Sequence, residues 1–266
     1  MTHRSAFPQV CRDWRQRRKL SQLELSLRAD VSQRHVSWLE RGKSQPSRSM
    51  VIRLSEAMDM PLRARNLMLQ AAGFAPIYKE SALDDTDMAP VLQAVTRILS
   101  HHDPFPSLVV DRFWNVLMQN DAATRMFGAV GDLQAMSQNL GSSNTVNLAF
   151  LTLHEAGLRR FITNFEQAAP AFLQRLRAES ESSGDEERIE QYRALAKLVD
   201  PSMESSASAP LLPVLPLELD LHGVRLSLFS VISTLGTPQD VTTDEIRIES
   251  FYPNDDSTDT FFRGVT

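Results

Sequence analysis

Up to Gly73 the apolar positions recur at helical spacing, and capping residues divide them into short segments. Ser21 precedes Gln22-Leu23-Glu24-Leu25, with Glu24 three residues on, which is the pattern of a capping box. Ser32 opens Gln33 to Arg41, closed by Gly42. Ser47 or Ser49 caps Met50 to Met58, and Pro61 opens Leu62 to Ala72, closed by Gly73. With Phe7 to Arg18 in front, five helices are predicted and no strand interrupts them.

Residues 75–90 lose this periodicity and turn acidic, so a linker is placed there. A helix is predicted from Val91 to His101. Ser107 to Asp111 and Asn115 to Gln119 read as two strands about a turn, followed by a helix from Asp121 to Phe127 that Gly128 can cap. Residues 154–199 are helical in pattern, with a polar break at Ser180 to Asp185. Leu217, Leu219 and Leu221 alternate with Glu218, Asp220 and His222, Gly223 allows a hairpin into Arg225 to Thr234, and Glu245 to Tyr252 alternates again. Tight connections among these three strands predict antiparallel pairing. Ser202 to Ala209 reads as a small-residue loop. The expected fold is multi-domain: an all-α five-helix domain (1–74), the linker (75–90), and an α+β domain with an antiparallel sheet (91–266).

The charge distribution follows the same division. The 266 residues carry a net charge of -5, which taken alone argues against a nucleic-acid partner. Residues 1–79, however, hold 15 Lys+Arg against 6 Asp+Glu, a net of +9, which leaves -14 for the rest. A basic front joined to an acidic back suits a nucleic-acid-binding part attached to a part with another task. The single cysteine, Cys11, excludes an internal disulfide and a thiolate-rich zinc site and fits a reducing compartment. No apolar run reaches the roughly 18–20 residues that span a bilayer, and no signal-peptide core is read near Met1, so a soluble cytoplasmic protein without membrane contact is expected.

Between Leu20 and Gly42, two helices joined at Asp30-Val31-Ser32 put Leu20, Leu25, Ala29, Val31, Val36 and Leu39 on one inner face. Gln22, Gln33, Arg34, His35, Ser37, Arg41 and Lys43 point outward, which is helix-turn-helix geometry. Gln pairs with adenine and Arg with guanine in the major groove, while hydroxyls and helix N-termini, such as that at Ser32, face phosphate. The bland alternative for these side chains is a solvated helix face.

Leu20-Ser21-Gln22, Leu25, Ala29, Val31-Ser32, Val36, Leu39-Glu40-Arg41-Gly42 and Pro46 resemble the Cro/cI-type helix-turn-helix of the xenobiotic-response-element family. The resemblance implies that Gln22 touches phosphate, that Gln33, Arg34 and Ser37 face bases, and that Arg41 and Lys43 hold the backbone of a double-stranded operator. His35 is assigned to structure or phosphate ahead of base reading. Asp30 stands where the family usually has a left-handed glycine. Trp38 is expected to pack in the core, and Glu40 to be held near Arg28 by a family-like ion pair.

The back half offers no catalytic set. Its histidines lack metal-ligand spacing, and His101-His102-Asp103 reads as a solvated helix end. No nucleophile elbow, phosphate loop or dinucleotide fingerprint occurs. Lys197 is the only lysine beyond the linker, so a self-cleaving Ser-Lys domain is disfavoured. No catalytic residue, cofactor or metal is expected, and an enzyme fused to a regulator is the least favoured reading.

Pro106-Ser-Leu-Val-Val-Asp111, Trp114-Asn115-Val116, Asn120-Asp-Ala-Ala123, Phe127-Gly128, Asn147-Leu148, Phe150, Asn164-Phe165-Glu166, Ser233 to Asp240 and Ile248 to Pro253 resemble the ligand-binding domain of MmyB-like transcription regulators. Phe165 stands where that family commonly has Trp. The resemblance implies a PAS-like fold with an apolar pocket for a fatty-acid-like or other hydrophobic effector. Val110, Leu117, Phe127, Leu148, Phe161, Phe165 and Leu228 are the candidate ligand contacts, each also a plausible core residue. Asn120 is a head-group candidate, though a helix cap is the preferred role. Arg112, Arg159 and Arg160 could neutralise a carboxylate head, with surface ion pairs as the favoured alternative. The expected function is a homodimeric transcription regulator, because one recognition helix reads one half-site. The alternative makes the back half a protein-interaction or dimerisation module without a small-molecule ligand.

Overall fold

A computed structural model of the chain describes residues 6–141, 145–205 and 216–264. It divides into two compact units: Met1–Ser81 with Glu181–Asp185 and Thr237–Asp244, and Ala82–Ser180 with Glu186–Gly236 and Glu245–Thr266.

Five helices make up the front: α1 (Phe7–Arg17), α2 (Gln22–Arg28), α3 (Gln33–Glu40), α4 (Arg48–Ala57) and α5 (Leu62–Ala71). The capping box forms as the sequence predicts, with the Ser21 hydroxyl accepting from the Glu24 amide and the Glu24 carboxylate accepting from the Ser21 amide. Hydrogen bonds to its carboxylate, first from the Ser21 amide and then from the Ser21 side chain, hold the Glu24 carboxyl below its ordinary range. Ser32 caps α3, and Ser47 rather than Ser49 caps α4.

All five helices stop by one device. A left-handed residue follows each cap, namely Lys19, Asp30, Gly42, Asp59 and Gly73 at φ 55°, 51°, 66°, 46° and 87°. The next amide then reaches back across the last turn: Leu20 to Arg15, Val31 to Ser26, Lys43 to Trp38, Met60 to Ser55 and Phe74 to Leu69. Three of these positions lack glycine. Leu20 and Met60, immediately after two of them, are buried, which ties those turns to the core of Phe7, Trp14, Leu25, Val36, Leu39, Leu54 and Met68.

Beyond α5 come α6 (Ala89–His102), β1 (Ser107–Val110), β2 (Val116–Gln119), α7 (Asp121–Gly128), α8 (Leu133–Asn139), α9 (Leu148–Leu153), a 3-10 turn at Leu158–Phe161, α10 (Phe165–Ser183), α11 (Glu186–Ala196) and α12 (Pro201–Ser205). β3 (Leu217–Leu221), β4 (Val224–Ser233), α13 (Val241–Glu245), β5 (Arg247–Pro253) and α14 (Asp256–Gly264) complete the series. The five strands form one antiparallel sheet in the order β2-β1-β5-β4-β3. The chain therefore has the expected fold class, an all-α helix-turn-helix domain followed by a PAS-like α+β domain.

Several local expectations are corrected. The β3–β4 hairpin is tight, with His222 at φ 55° and Gly223 at φ 97° in the two-residue turn, but β4 and β5 are joined through residues 234–246, which include α13. β5 pairs with β1 on one edge and β4 on the other, and both its faces are buried: Ile248 packs with Val95, Leu99 and Val109, while Glu249 and Phe251 face the opposite side. Residues 162–164 are not helical, since Ile162 bridges Leu219 and the Asn164 side chain accepts from the Glu218 amide and donates to the Pro216 carbonyl. Gly128 is the last residue of α7 and Ala129 is its cap. The break between α10 and α11 is confined to Gly184 and Asp185, with Gly184 at φ 70°. The small-residue stretch begins as α12, and the rest of it lies outside the described residues.

Candidate DNA-reading face and ligand cavity

The helix α3 is fixed at both ends. Its N-terminus is capped by the Ser32 hydroxyl, which accepts from the His35 amide at 3.2 Å, and its C-terminus is closed through Gly42. Between them Gln33 and Arg34 are exposed, His35 and Ser37 half-buried, and Arg41 and Lys43 exposed at the far end. Trp38 does not pack in the core. It is 36% exposed, and the Arg34 guanidinium lies 4.4 Å from its ring centroid. The i, i+4 spacing places the pair on one face, where a cation–π contact contributes about 0.5–1 kcal/mol and orders Arg34 outward. Arg41 donates to the Ser37 carbonyl and hydroxyl. Asp30 takes the left-handed conformation that its place in the motif requires.

Glu40 anchors this face from behind. Its buried carboxylate accepts from Arg15 Nε at 2.6 Å and Nη2 at 3.1 Å and from Gln22 Nε2 at 2.7 Å, and its carbonyl accepts from Arg12 at 2.8 Å. The expected partner, Arg28, is replaced by Arg15 because Glu40 lies on the inner face of α3 against α1, whereas Arg28 is exposed at the end of α2. One carboxylate thereby ties α1, α2 and α3 together, and Gln22 is engaged by it. Cys11 is also buried here; desolvation, with a smaller push from Glu40, raises its thiol to about 12, so it remains protonated core material.

The α+β unit contains a partly open cavity of about 270 Å³. Phe127, Leu148, Phe161 and Phe165 line it, together with Trp114, Leu158, Phe172, Leu219 and Phe251. Trp114 sits at φ 67° in the β1–β2 turn, which is held by Asp111 accepting from the amides of Phe113 and Asn115. A left-handed tryptophan is costly, and here the conformation accompanies a buried indole that packs edge-on to Phe172 and donates to Glu179 at 3.4 Å.

The other four candidates do not line this cavity. Val110 and Leu228 are fully buried core residues of β1 and β4. Leu117 is 38% exposed, because β2 is an edge strand and Leu117 lies on its outer side beside a separate, more open pocket. Asn120 caps α7 through the Ala123 amide, accepts from the Ser107 amide and donates to the Phe105 carbonyl, so its polar atoms are taken up by protein. Arg112 pairs with Glu187, Arg159 lies over Phe165, and Arg160 lies over Phe161. His102 is not a solvated end, since its ring N–H donates to the Phe251 carbonyl at 2.8 Å and its ring meets Tyr252 edge-on.

Four polar cavity residues carried no strong sequence signal: Thr152 on α9, Arg175 on α10, Ser230 on β4 and Glu249 on β5. The one available cue was the alternation of β5, which gives Glu249 the same facing as Phe251. Arg175 donates to Glu179 at 2.9 Å and lies over the Trp114 ring. Among the described residues, no group of three or more His, Cys, Asp or Glu side chains could hold a metal ion, and no helix is long and apolar enough to cross a membrane.

A basic helix-turn-helix unit and an α+β unit with a mainly apolar cavity define the class as a DNA-binding regulator with a ligand-binding domain. Residues 12–64 match the helix-turn-helix family model, and residues 91–264, more than half of the chain, match the model of the MmyB-like transcription regulator ligand binding domain. The chain belongs to the MmyB-like transcription regulator family. No curated protein matches it.

Proposed function

We propose that this protein is a homodimeric, sequence-specific transcription regulator in which residues 1–74 read an operator, 75–90 link, and 91–266 bind a small fatty-acid-like effector. The observation that carries the reading is the pairing, in one chain, of an exposed polar α3 in a +9 segment with a 270 Å³ apolar cavity in the following domain. The cavity favours an effector over a bare protein-interaction module. Gln33 and Arg34 are assigned to base edges, Ser37 to a base or neighbouring phosphate, and Gln22, Ser32, His35, Arg41 and Lys43 to the backbone. In the cavity, Phe127, Leu148, Phe161 and Phe165 are assigned to the effector. Two half-sites a helical turn apart call for a two-fold partner, and a regulator that reads DNA works in the compartment that holds it, here taken as the cytoplasm. An effector acts only by binding one arrangement of the dimer better than another.

Electrophoretic shift on the DNA upstream of the gene tests the operator reading. Binding is expected at low salt and is expected to lose sequence preference in Gln33→Ala with Arg34→Ala; unchanged specific binding in that double variant overturns the assignment. Native mass spectrometry of the purified protein reports dimer mass and any retained small molecule together.

A further inference from the structure

The inward face of β5, the central strand, carries Glu249 beside Phe251. Leu108 lies across from Glu249 on β1 and Ile232 on β4. A carboxyl group at such a position is costly to bury unless something bonds it. The groups that face it are the Ser230 hydroxyl from β4, which hydrogen-bonds it, and Arg175 and Glu179 from α10, which attract and repel its charge. Desolvation outweighs the help from Ser230 and Arg175 and pushes the carboxyl up from its ordinary range. Arg175 is itself paired with Glu179 at 2.9 Å. Glu249, Ser230 and Arg175 all line the cavity, and the rest of its wall is mainly apolar. A carboxyl that holds its proton more tightly than usual, beside a hydroxyl, brings both an O–H donor and oxygen acceptors to the cavity wall.

We propose that Glu249 and Ser230 form the head-group site of the cavity, with Arg175 at its margin, and that this site selects an amphiphile whose polar end is an uncharged hydrogen-bonding group such as a hydroxyl or amide. This rests on the effector reading above and narrows it: the tail is that of a fatty acid, but the head is not a carboxylate. An uncharged head exchanges hydrogen bonds with Glu249 and Ser230. A carboxylate head must instead give up its hydration beside Glu179, while Arg175, the cation at the margin, is already paired with Glu179, so its charge is poorly compensated there. At about 270 Å³ the cavity lies just below the usual range of roughly 300–1,000 Å³ for ligand pockets, which favours a tail of medium length.

Isothermal titration of the full-length protein at neutral pH with decan-1-ol, decanamide and decanoate tests this. Decan-1-ol and decanamide are expected to bind about tenfold or more tightly than decanoate, because the anion must be desolvated beside a cation that is already paired. Glu249→Gln, which keeps a neutral donor and acceptor, is expected to retain that order. Glu249→Leu is expected to weaken decan-1-ol by about tenfold through the lost hydrogen bond. Should Glu249→Leu fail to fold, Ser230→Ala must weaken decan-1-ol instead. Decanoate binding more tightly than decan-1-ol overturns the head-group assignment while supporting the effector reading. Decan-1-ol binding unchanged in the folded Leu or Ala variant also overturns the assignment. Binding of none of the three overturns the effector reading and this proposal with it.

Discussion

Among the described residues each unit buries one glutamate, and their surroundings differ in kind. Glu40, in the helical unit, is surrounded by donors: Arg15 binds both of its carboxylate oxygens, Gln22 binds one of them, and Arg12 holds its carbonyl. Glu249, in the sheet unit, hydrogen-bonds to the Ser230 hydroxyl and faces a cavity. Both are equally hidden from solvent, at 2% and 6% exposure, so burial does not separate them. The partners do. A buried carboxylate saturated by side chains from two neighbouring helices is a structural clamp, whereas one that faces a cavity is available to something that enters.

Four measurements bear on that contrast. The largest effect is expected from Glu40→Ala, which strands Arg15 at 12% exposure and is predicted to cost about 3–5 kcal/mol, read by urea unfolding of the helical unit. A cost below about 1 kcal/mol would remove the clamp reading. Removing the two side chains proposed to face bases, as Gln33→Ala with Arg34→Ala, should next cost about 1–3 kcal/mol of operator binding per contact, while folding stability falls by no more than the roughly 0.5–1 kcal/mol of the Arg34–Trp38 contact.

Glu249→Gln should act in the opposite sense to Glu40→Ala. Because the folded carboxyl holds its proton above its ordinary value near 4.5, the folded state binds more protons than the unfolded state once pH passes that value. Stability is then lost as pH rises from there to the raised folded value, at about 1.4 kcal/mol for each tenfold fall in proton concentration. The Gln variant lacks this loss, so its melting temperature should exceed that of the parent at neutral pH and match it near pH 4. Equal pH profiles for the two proteins would show that Glu249 ionises as freely when folded as when unfolded. The smallest effect is expected at Asp30→Gly, which relieves a left-handed side chain but loosens the unfolded chain, for a net gain of about 0.5 kcal/mol in thermal unfolding. A loss of stability there would show that the Asp30 side chain contributes more than its conformation costs.

The helical unit is almost fully legible along the chain because its structure is local. Capping hydroxyls, i, i+3 and i, i+4 periodicity and closing glycines all act within a turn or two of the residues that carry them. What the chain hides there is long-range: Glu40 pairs with Arg15 in place of the expected Arg28, and Trp38, expected in the core, lies at the surface with Arg34 stacked on it. In the sheet unit, strand positions are legible from alternation, yet the order of the strands is not, because β1 meets β5 across most of the domain. The cavity follows the same rule. Its aromatic wall at Phe127, Phe161 and Phe165 stands out as apolar positions, whereas Val110, Leu117, Asn120 and Leu228 look equally suitable and lie elsewhere.

The sequence by itself determined the five-helix unit, the outward set on α3, the charge asymmetry and the two domain families, since each depends on residue type and near spacing. Only the tertiary structure decided which buried carboxylate is clamped and which faces a cavity. That difference depends on what neighbouring elements bring to within about 3 Å of each carboxyl oxygen, a hydrogen-bond distance that no spacing along the chain encodes.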